Sequence, residues 1–501
     1  MSTSDPRDSK AASVQPRLYK GLRDYLPDEM GARQRLIDTV RGVYEMYGFV
    51  PLGTPAIEHM DVLVGTGGQE ANKSIFSVQG PDEDQLGLRF DQTVPLARVV
   101  AQYPQLPKPF RRYQVSPVWR ADKPDKGRFR EFVQFDIDSV GADSELADVE
   151  IIAAGCDAMD ALGVKGFQMR FSSRKVLNLL LAYAQVPETL RVSVTTRGIA
   201  SVEERPASDV FRVLDKLDKI GIEKVRAELG PGYTDESGDR IAGLGLERSQ
   251  IDRIEAFLRI KGETRREILD ALATTFAGVP NAEAEIGALR RMSDRLAMLG
   301  YADERVMVDL SIARGLAYYT GPVFEGRLTN APEFGSVMAG GRYDDLVKRF
   351  LGESLPATGA SIGVDRLLAA LVHLGSIKLR SATAKVLIAA FDANLQEEYL
   401  RMAFELRRAG VPTELYLTSK GIGKQLKHAD QQGIPLVVLC GSNEHAKGVV
   451  TIKEMESGRQ LAAGAGDRAE WLKQRAGQAE VPRDQLVPTA KRLLDELGQS
   501  A

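Results

Sequence analysis

Eight cations crowd into the 23 residues from Lys108 to Arg130: Lys108, Arg111, Arg112, Arg120, Lys123, Lys126, Arg128 and Arg130. Only Asp122 and Asp125 oppose them there. The chain as a whole has a formal net charge of −3, so this is a local positive field. Guanidinium forks and ammonium groups at such density suit a polyanion, and a nucleotide phosphate is the obvious one. The competing reading is an edge hairpin whose lysines guard it against aggregation. A second pattern follows directly. Along Gln134, Phe135, Asp136, Ile137 and Asp138 polar and apolar residues alternate, so Gln134, Asp136 and Asp138 share one strand face. That face lines a polar site or meets solvent.

These residues need elements to hold them. Two apolar-rich segments, Tyr113–Trp119 and Phe129–Ile137, flank Lys123-Pro124-Asp125-Lys126-Gly127. Pro presets φ and Gly tolerates positive φ, so the stretch reads as strand, basic loop, strand. Upstream, Leu36, Val40, Val43, Tyr44 and Tyr47 recur at helical spacing and stop at Gly48. Pro51, Gly53 and Pro55 reduce the next segment to an edge strand at best. Gly65–Gly68 reads as a loop. Leu86–Phe90 reads as a strand, and Asp91-Gln92-Thr93 as a cap for a helix over Val94–Gln102. Helices follow over Asp143–Leu162 and Ser173–Ala182, with a strand over Gly166–Phe171 between them. From Leu229 to Tyr301 the periodicity is mostly helical. Strand signals return at Val306–Leu310 and Val323–Leu328. Beyond a linker, residues 385–453 read β-α-β-α-β-β, an independent α/β unit.

At 501 residues the chain is too long for one core. Cys156 and Cys440 stand alone, which suits a reducing cytoplasm and excludes a disulfide framework. His59, His373, His428 and His445 are scattered, so zinc-type protein ligands are not expected. The polar start lacks the apolar core of a secretory signal, and no apolar run approaches the ~20 residues of a membrane span.

Taken together, the motifs are similar to those of a known family. The basic hairpin resembles motif 2 of class II aminoacyl-tRNA synthetases. ATGASIGVDRLL at 357–368 resembles motif 3, and the helix from Gly31 with the strand up to Pro55 resembles motif 1, the dimerisation element. RGLAYY at 314–319 and AGGRYDDL at 339–346 resemble the two histidine signatures of histidyl-tRNA synthetases. VVLCGSNEHAKGVVTIKEM resembles their anticodon-binding domain.

The resemblance implies an α/β (α+β) fold: an antiparallel class II sheet flanked by helices, a helical insertion and a C-terminal α/β domain. The expected layout is a disordered tail over 1–17, catalytic core over 18–228, insertion over 229–301, core again over 302–374, anticodon-binding domain over 385–475 and an extension over 476–501. It implies activation of L-histidine by ATP to histidyl-adenylate and transfer to tRNA(His), in a cytoplasmic homodimer with no membrane association. Arg120 matches the motif 2 arginine and Arg314 the signature arginine, the two catalytic cations. Arg120, Arg128, Arg130, Phe132 and Arg366 would bind ATP, whose outer phosphates carry Mg²⁺. Asp91, Thr93, Arg120, Gln134, Asp138, Arg314, Tyr318, Tyr319 and Gly340 would bind histidine. Gly340 and Gly341 would let the backbone approach the ligand. Lys123, Asp125 and Lys126 would meet the tRNA acceptor end, and Lys420, Lys424 and Lys427 the anticodon stem.

Some positions depart from the family's common pattern. Ala317 replaces a polar residue, and Asp91 and Asp138 stand where many bacterial members have Glu. RFDQTVP is closer to the eukaryotic and archaeal form, which marks a divergent bacterial type. The loop Asp122–Lys126 differs from the common bacterial form, and acceptor-end recognition is expected to differ with it. The rival reading is a non-catalytic relative, such as a regulatory subunit of ATP phosphoribosyltransferase or a tRNA sensor. The presence of Arg120, Arg314, Arg366 and the C-terminal unit argues against it.

Overall fold

The computed structural model describes residues 14–64, 73–124, 127–196, 199–236, 238–312, 318–377, 379, 382–418, 420–455 and 477–498. Arg314, Ala317, Asp125, Lys126 and the Gly65–Gly68 loop lie outside them. The chain forms two compact units, one of residues 1–23 and 36–376, the other of residues 24–35 and 377–501.

The first unit is built on an eight-stranded sheet. Its strands are β1 (Val50–Pro51), β2 (Phe110–Trp119), β3 (Glu131–Val140), β4 (Phe167–Ser173), β5 (Val306–Val308), β6 (Pro322–Leu328), β7 (Ser336–Arg342) and β8 (Ala357–Gly363). Their order is β1-β2-β3-β8-β7-β6-β4-β5. The six inner strands run antiparallel, and β1 and β5 are parallel edges. Helices α1 (Pro27–Met46), α2 (Thr93–Gln102), α3 (Glu145–Ala161), α4 (Arg174–Tyr183), α5 (Ala282–Met298) and α6 (Val364–His373) accompany it.

The alternation along β3 divides the two sides of this sheet. Phe135 and Ile137 are fully buried, and Tyr44 of α1 meets the Phe135 ring edge-on at 5.1 Å. α3 starts at Ser144, whose hydroxyl accepts the Leu146 N–H, with Glu145 and Asp148 favourable in its first turn. Asp148 then binds Arg342 of β7 at 2.7 Å, a buried pair that clamps α3 to the sheet. Asp157 of α3 accepts hydrogen bonds from Tyr47 and Tyr301, both at 2.7 Å. It thereby joins the end of α1 to the segment that re-enters the core.

Between β4 and β5 the sequence reading needs correction. The stretch read as helical from Leu229 contains a hairpin, Gly232–Thr234 with Arg240–Ala242, and another hairpin precedes it over 189–206. A Cβ on Gly232 would lie 2.2 Å from the Ile241 carbonyl, so the partner strand demands glycine there. Three-residue strands are too short for periodicity to register. The helices Arg248–Leu258, Arg265–Thr275 and α5 follow, and Arg291 and Arg295 of α5 both bind Glu145 of α3.

The second unit has a five-stranded sheet ordered 413–415, 386–388, 436–439, 449–454 and 478–482. Residues 478–496, expected as an extension, supply its last strand and the helix Leu486–Glu496. Leu486, Ala490, Leu493 and Leu494 of that helix are buried against Tyr399, Met402 and Leu406. No helix among the described residues is long and apolar enough to cross a membrane.

Candidate active site

Over the polar face of the sheet lies a cavity of about 690 Å³. Its floor is a ladder read across three strands. Arg112 of β2 faces Asp138 of β3, which faces Gly359 of β8; in the next rank Gln114, Asp136 and Ser361 align; then Ser116, Gln134 and Gly363. Asp136 and Asp138 are each 3 % exposed and Arg112 is fully buried. Arg112 Nη2 lies 2.7 Å from Asp138 Oδ2, and the Tyr343 hydroxyl donates to Asp138 Oδ1. Burial raises the Asp138 carboxyl, and Arg112 opposes that rise.

The wall on one side is the cap of α2. Asp91 Oδ1 accepts the Val94 N–H at 3.0 Å, and Thr93 lies beside it in the cavity lining. Gln92, fully buried, donates from Nε2 to the carbonyls of Ser116 and Gln134, which ties the cap to both central strands. Arg120 stands above. Its guanidinium carbon is 4.3 Å from the Phe90 ring centroid and 5.2 Å from that of Phe132. Its Nε–H donates to the Phe90 carbonyl at 3.1 Å. Opposite, the Tyr318 and Tyr319 hydroxyls are 3.3 Å apart, and burial pushes the Tyr318 phenol up to about 12. At the mouth, Arg366 donates to the Ser336 carbonyl at 2.8 Å, and its neighbour Asp365 accepts the Val133 N–H at 2.7 Å.

A cavity with a deep carboxylate floor, a guanidinium held between two rings and an open mouth can hold a small cationic molecule beside an anion. A family model described as histidyl-tRNA synthetase matches residues 21–367, and one described as anticodon binding domain matches residues 385–475. This chain belongs to the histidyl-tRNA synthetase family. The histidine–tRNA ligase of Caulobacter vibrioides is 40 % identical, over 99 % of this chain and 100 % of that one. That of Dinoroseobacter shibae is 42 % identical, over 95 % and 96 %. The crystal structure of histidyl-tRNA synthetase from Nostoc sp. PCC 7120, 31 % identical, matches with a TM-score of 0.76 over 96 % of this chain and 100 % of that one.

Within this synthetase fold the residues singled out from the sequence separate. Asp91, Thr93, Arg120, Arg128, Phe132, Gln134, Asp138, Tyr318, Tyr319, Gly340 and Arg366 all line the cavity. Arg130 does not: it donates to the Asp122 and Lys20 carbonyls and covers the Tyr19 ring. Lys123 is exposed outside the lining. Arg128 pairs with Asp122 at the rim. Arg111 leaves the phosphate field altogether, binding Glu150 of α3 and the Tyr47 carbonyl.

The glycines also change role. A Cβ on Gly340 would lie 2.3 Å from the Gly359 carbonyl oxygen and 2.7 Å from Ala360 Cα. The adjoining strand by itself requires glycine there. The position that protects the pocket is Gly359, which sequence reasoning missed. A Cβ there would lie 2.0 Å from Asp138 Oδ1. Gly359→Ala is therefore expected to push Asp138 out of its place. Histidine KM in pyrophosphate exchange should rise at least about tenfold, with a loss of about 1–3 kcal/mol of stability from overpacking. An unchanged KM in a folded variant would show that Asp138 has room to move. Tyr343, in the lining, and Arg112, beneath it, were also missed as partners of Asp138. The only signal for them was the sequence RYDDL and the parity of Arg112 in the basic hairpin.

Proposed function

We infer that this chain is a histidine–tRNA ligase that works in two steps within this cavity. The histidine carboxylate attacks the α-phosphorus of ATP, giving histidyl-adenylate and pyrophosphate. The terminal ribose of tRNA(His) then takes the histidyl group. Such transfers need positioning and charge neutralisation more than a strong base, which suits a site rich in arginine. The observation that carries the reading is the convergence of Arg120, Asp91, Thr93, Gln134, Asp138 and Tyr319 on one cavity, in a chain related over its full length to histidine–tRNA ligases.

Arg120 would bridge the α-phosphate and the substrate carboxylate, its fork meeting two oxygens at once. Arg314 would supply the second fixed cation. Phe132 and Arg366 would enclose the adenine, and Arg128 would meet the outer phosphates. Asp91 and Thr93 would hold the α-ammonium, with Gln134 beside the ligand. Asp138, fixed by Arg112 and Tyr343, and Tyr319 would read the imidazole as one donor and one acceptor. Among the described residues no cluster of three carboxylate, histidine or cysteine side chains could hold a metal ion. Mg²⁺ would enter with ATP, on its outer phosphates.

The second unit would take the anticodon end. Lys420, Lys424 and Lys427 are exposed, the last two on the helix Ile422–Gln432, and support a salt-sensitive contact with RNA. Met46, Val50 and Ile57, 89 %, 49 % and 45 % exposed, support burial of the motif 1 region against a second copy. Two lone buried thiols are consistent with a reducing cytoplasm.

Purified protein should exchange pyrophosphate into ATP when histidine is supplied and not with other amino acids, and it should sediment at twice the chain mass. Folded protein inert with histidine would reject the ligase reading and leave the regulatory or sensor relative in its place. A monomer would reject the dimer alone.

A further inference from the structure

Asp136 has no role in the reading above. It is 3 % exposed, lines the cavity, and stands on β3 between Gln134 and Asp138. Among the described residues its Oδ1 finds no hydrogen-bond partner. Its neighbours are better provided. Asp91 accepts the Val94 N–H, and Asp138 accepts the Tyr343 hydroxyl and holds Arg112 at 2.7 Å. The same guanidinium nitrogen is 4.0 Å from Asp136 Oδ2, so Asp136 is the outer member of the group. Asp136 and Asp138 share one close guanidinium, that of Arg112, and in a desolvated floor it cannot hold both ionised equally well. The proton belongs on Asp136, whose Oδ1 lacks a donor and whose approach to Arg112 is the longer one. Strand geometry also puts Asp136 about 6.6 Å from Gln134 and from Asp138 along the chain, between the two ends of a bound amino acid.

We propose that Asp136 is a proton-exchanging positioning residue of the amino-acid pocket, protonated in the free enzyme and ionised when the α-ammonium of histidine enters. The inference rests on the histidine reading of the cavity. On binding, the carboxyl O–H bond breaks, the proton passes to solvent and the carboxylate stays to face the substrate cation. No other bond changes. The groups that face Asp136 set the balance. Burial raises its carboxyl, Arg112 opposes, Asp138 adds to the rise, Ser361 opposes through a hydrogen bond, and Asp91 adds again, leaving it at about 7. Arg89, beyond the strands, is charged, while Tyr44, Tyr318 and Tyr319 are neutral neighbours at that pH.

The test is calorimetry of histidine binding in two buffers of different ionisation enthalpy, at pH 6.5 and 8.5, on wild type and Asp136→Asn. At pH 6.5 the wild type should release up to about one proton more per histidine than the variant. At pH 8.5 the difference should vanish. Equivalently, wild-type affinity should weaken up to about tenfold more per pH unit below 7 than that of the variant. Equal proton release at pH 6.5 overturns the proposal and leaves the histidine reading standing. No histidine binding by folded wild type overturns both. Should the variant not fold, infrared difference spectra of wild type decide: histidine at pH 6.5 should remove a protonated-carboxyl C=O band, and an unchanged band refutes the proposal.

Discussion

Arg120→Lys should slow histidine-dependent pyrophosphate exchange by roughly 10²–10³-fold, about 3–4 kcal/mol of transition-state stabilisation. The charge is kept, so the loss measures geometry. The guanidinium is fixed in three ways: by the Phe90 ring, by the Phe132 ring and by the bond from Nε to the Phe90 carbonyl. That anchoring uses one of its donors and leaves the planar fork for two ligand oxygens. An ammonium cannot hold the carbonyl and two oxygens in one plane, and it is more strongly hydrated. The fall should be in kcat more than in histidine KM, because the α-phosphate gains charge only as the carboxylate attacks. Exchange within a few-fold of wild type would remove Arg120 from the centre of the reaction.

Arg112→Met should cost about 3–5 kcal/mol of folding stability at neutral pH, seen as a lower denaturation midpoint. The side chain is fully buried, and its removal leaves Asp136 and Asp138 without the cation between them. The pH dependence has a definite sign. A carboxyl raised on folding is harmless while protonated and destabilises once ionised, so its contribution is lost as pH rises through the folded value. Asp136 already lies at about 7 with Arg112 present. Without Arg112 the variant's deficit should be small near pH 5 and grow towards pH 8. A deficit independent of pH would mean that lost packing, not charge, explains the cost.

These two arginines show what the sequence can and cannot disclose. Arg112 and Arg120 belong to one basic hairpin, and their residue type and spacing announce a single positive field. The fold assigns them different tasks by depth: Arg112 is fully buried within β2, whereas Arg120, just past the end of β2, lines the cavity. Arg112 lies beneath the floor, while Arg111, one residue away, holds α1 and α3. The alternation along β3 was legible because a period of two is a local property. The cap at Asp91 was legible for the same reason. Gly359 and Tyr343 were not, since each meets Asp138 from more than 200 positions away in the chain. The hairpins at 189–206 and 232–242 were missed because their strands are short or lie among helical periodicity.

The bond from Val133 N–H to Asp365 Oδ2 has a mechanical meaning. Val133 adjoins Phe132, and Asp365 adjoins Arg366, so the two side chains at the mouth are mounted on one rigid bracket. Neither side chain's mount can shift without disturbing the bond that joins β3 to α6. Tightening around bound substrates would then fall to the Tyr318–Tyr319 pair, whose hydroxyls meet in a side-chain contact that can readjust without breaking a strand.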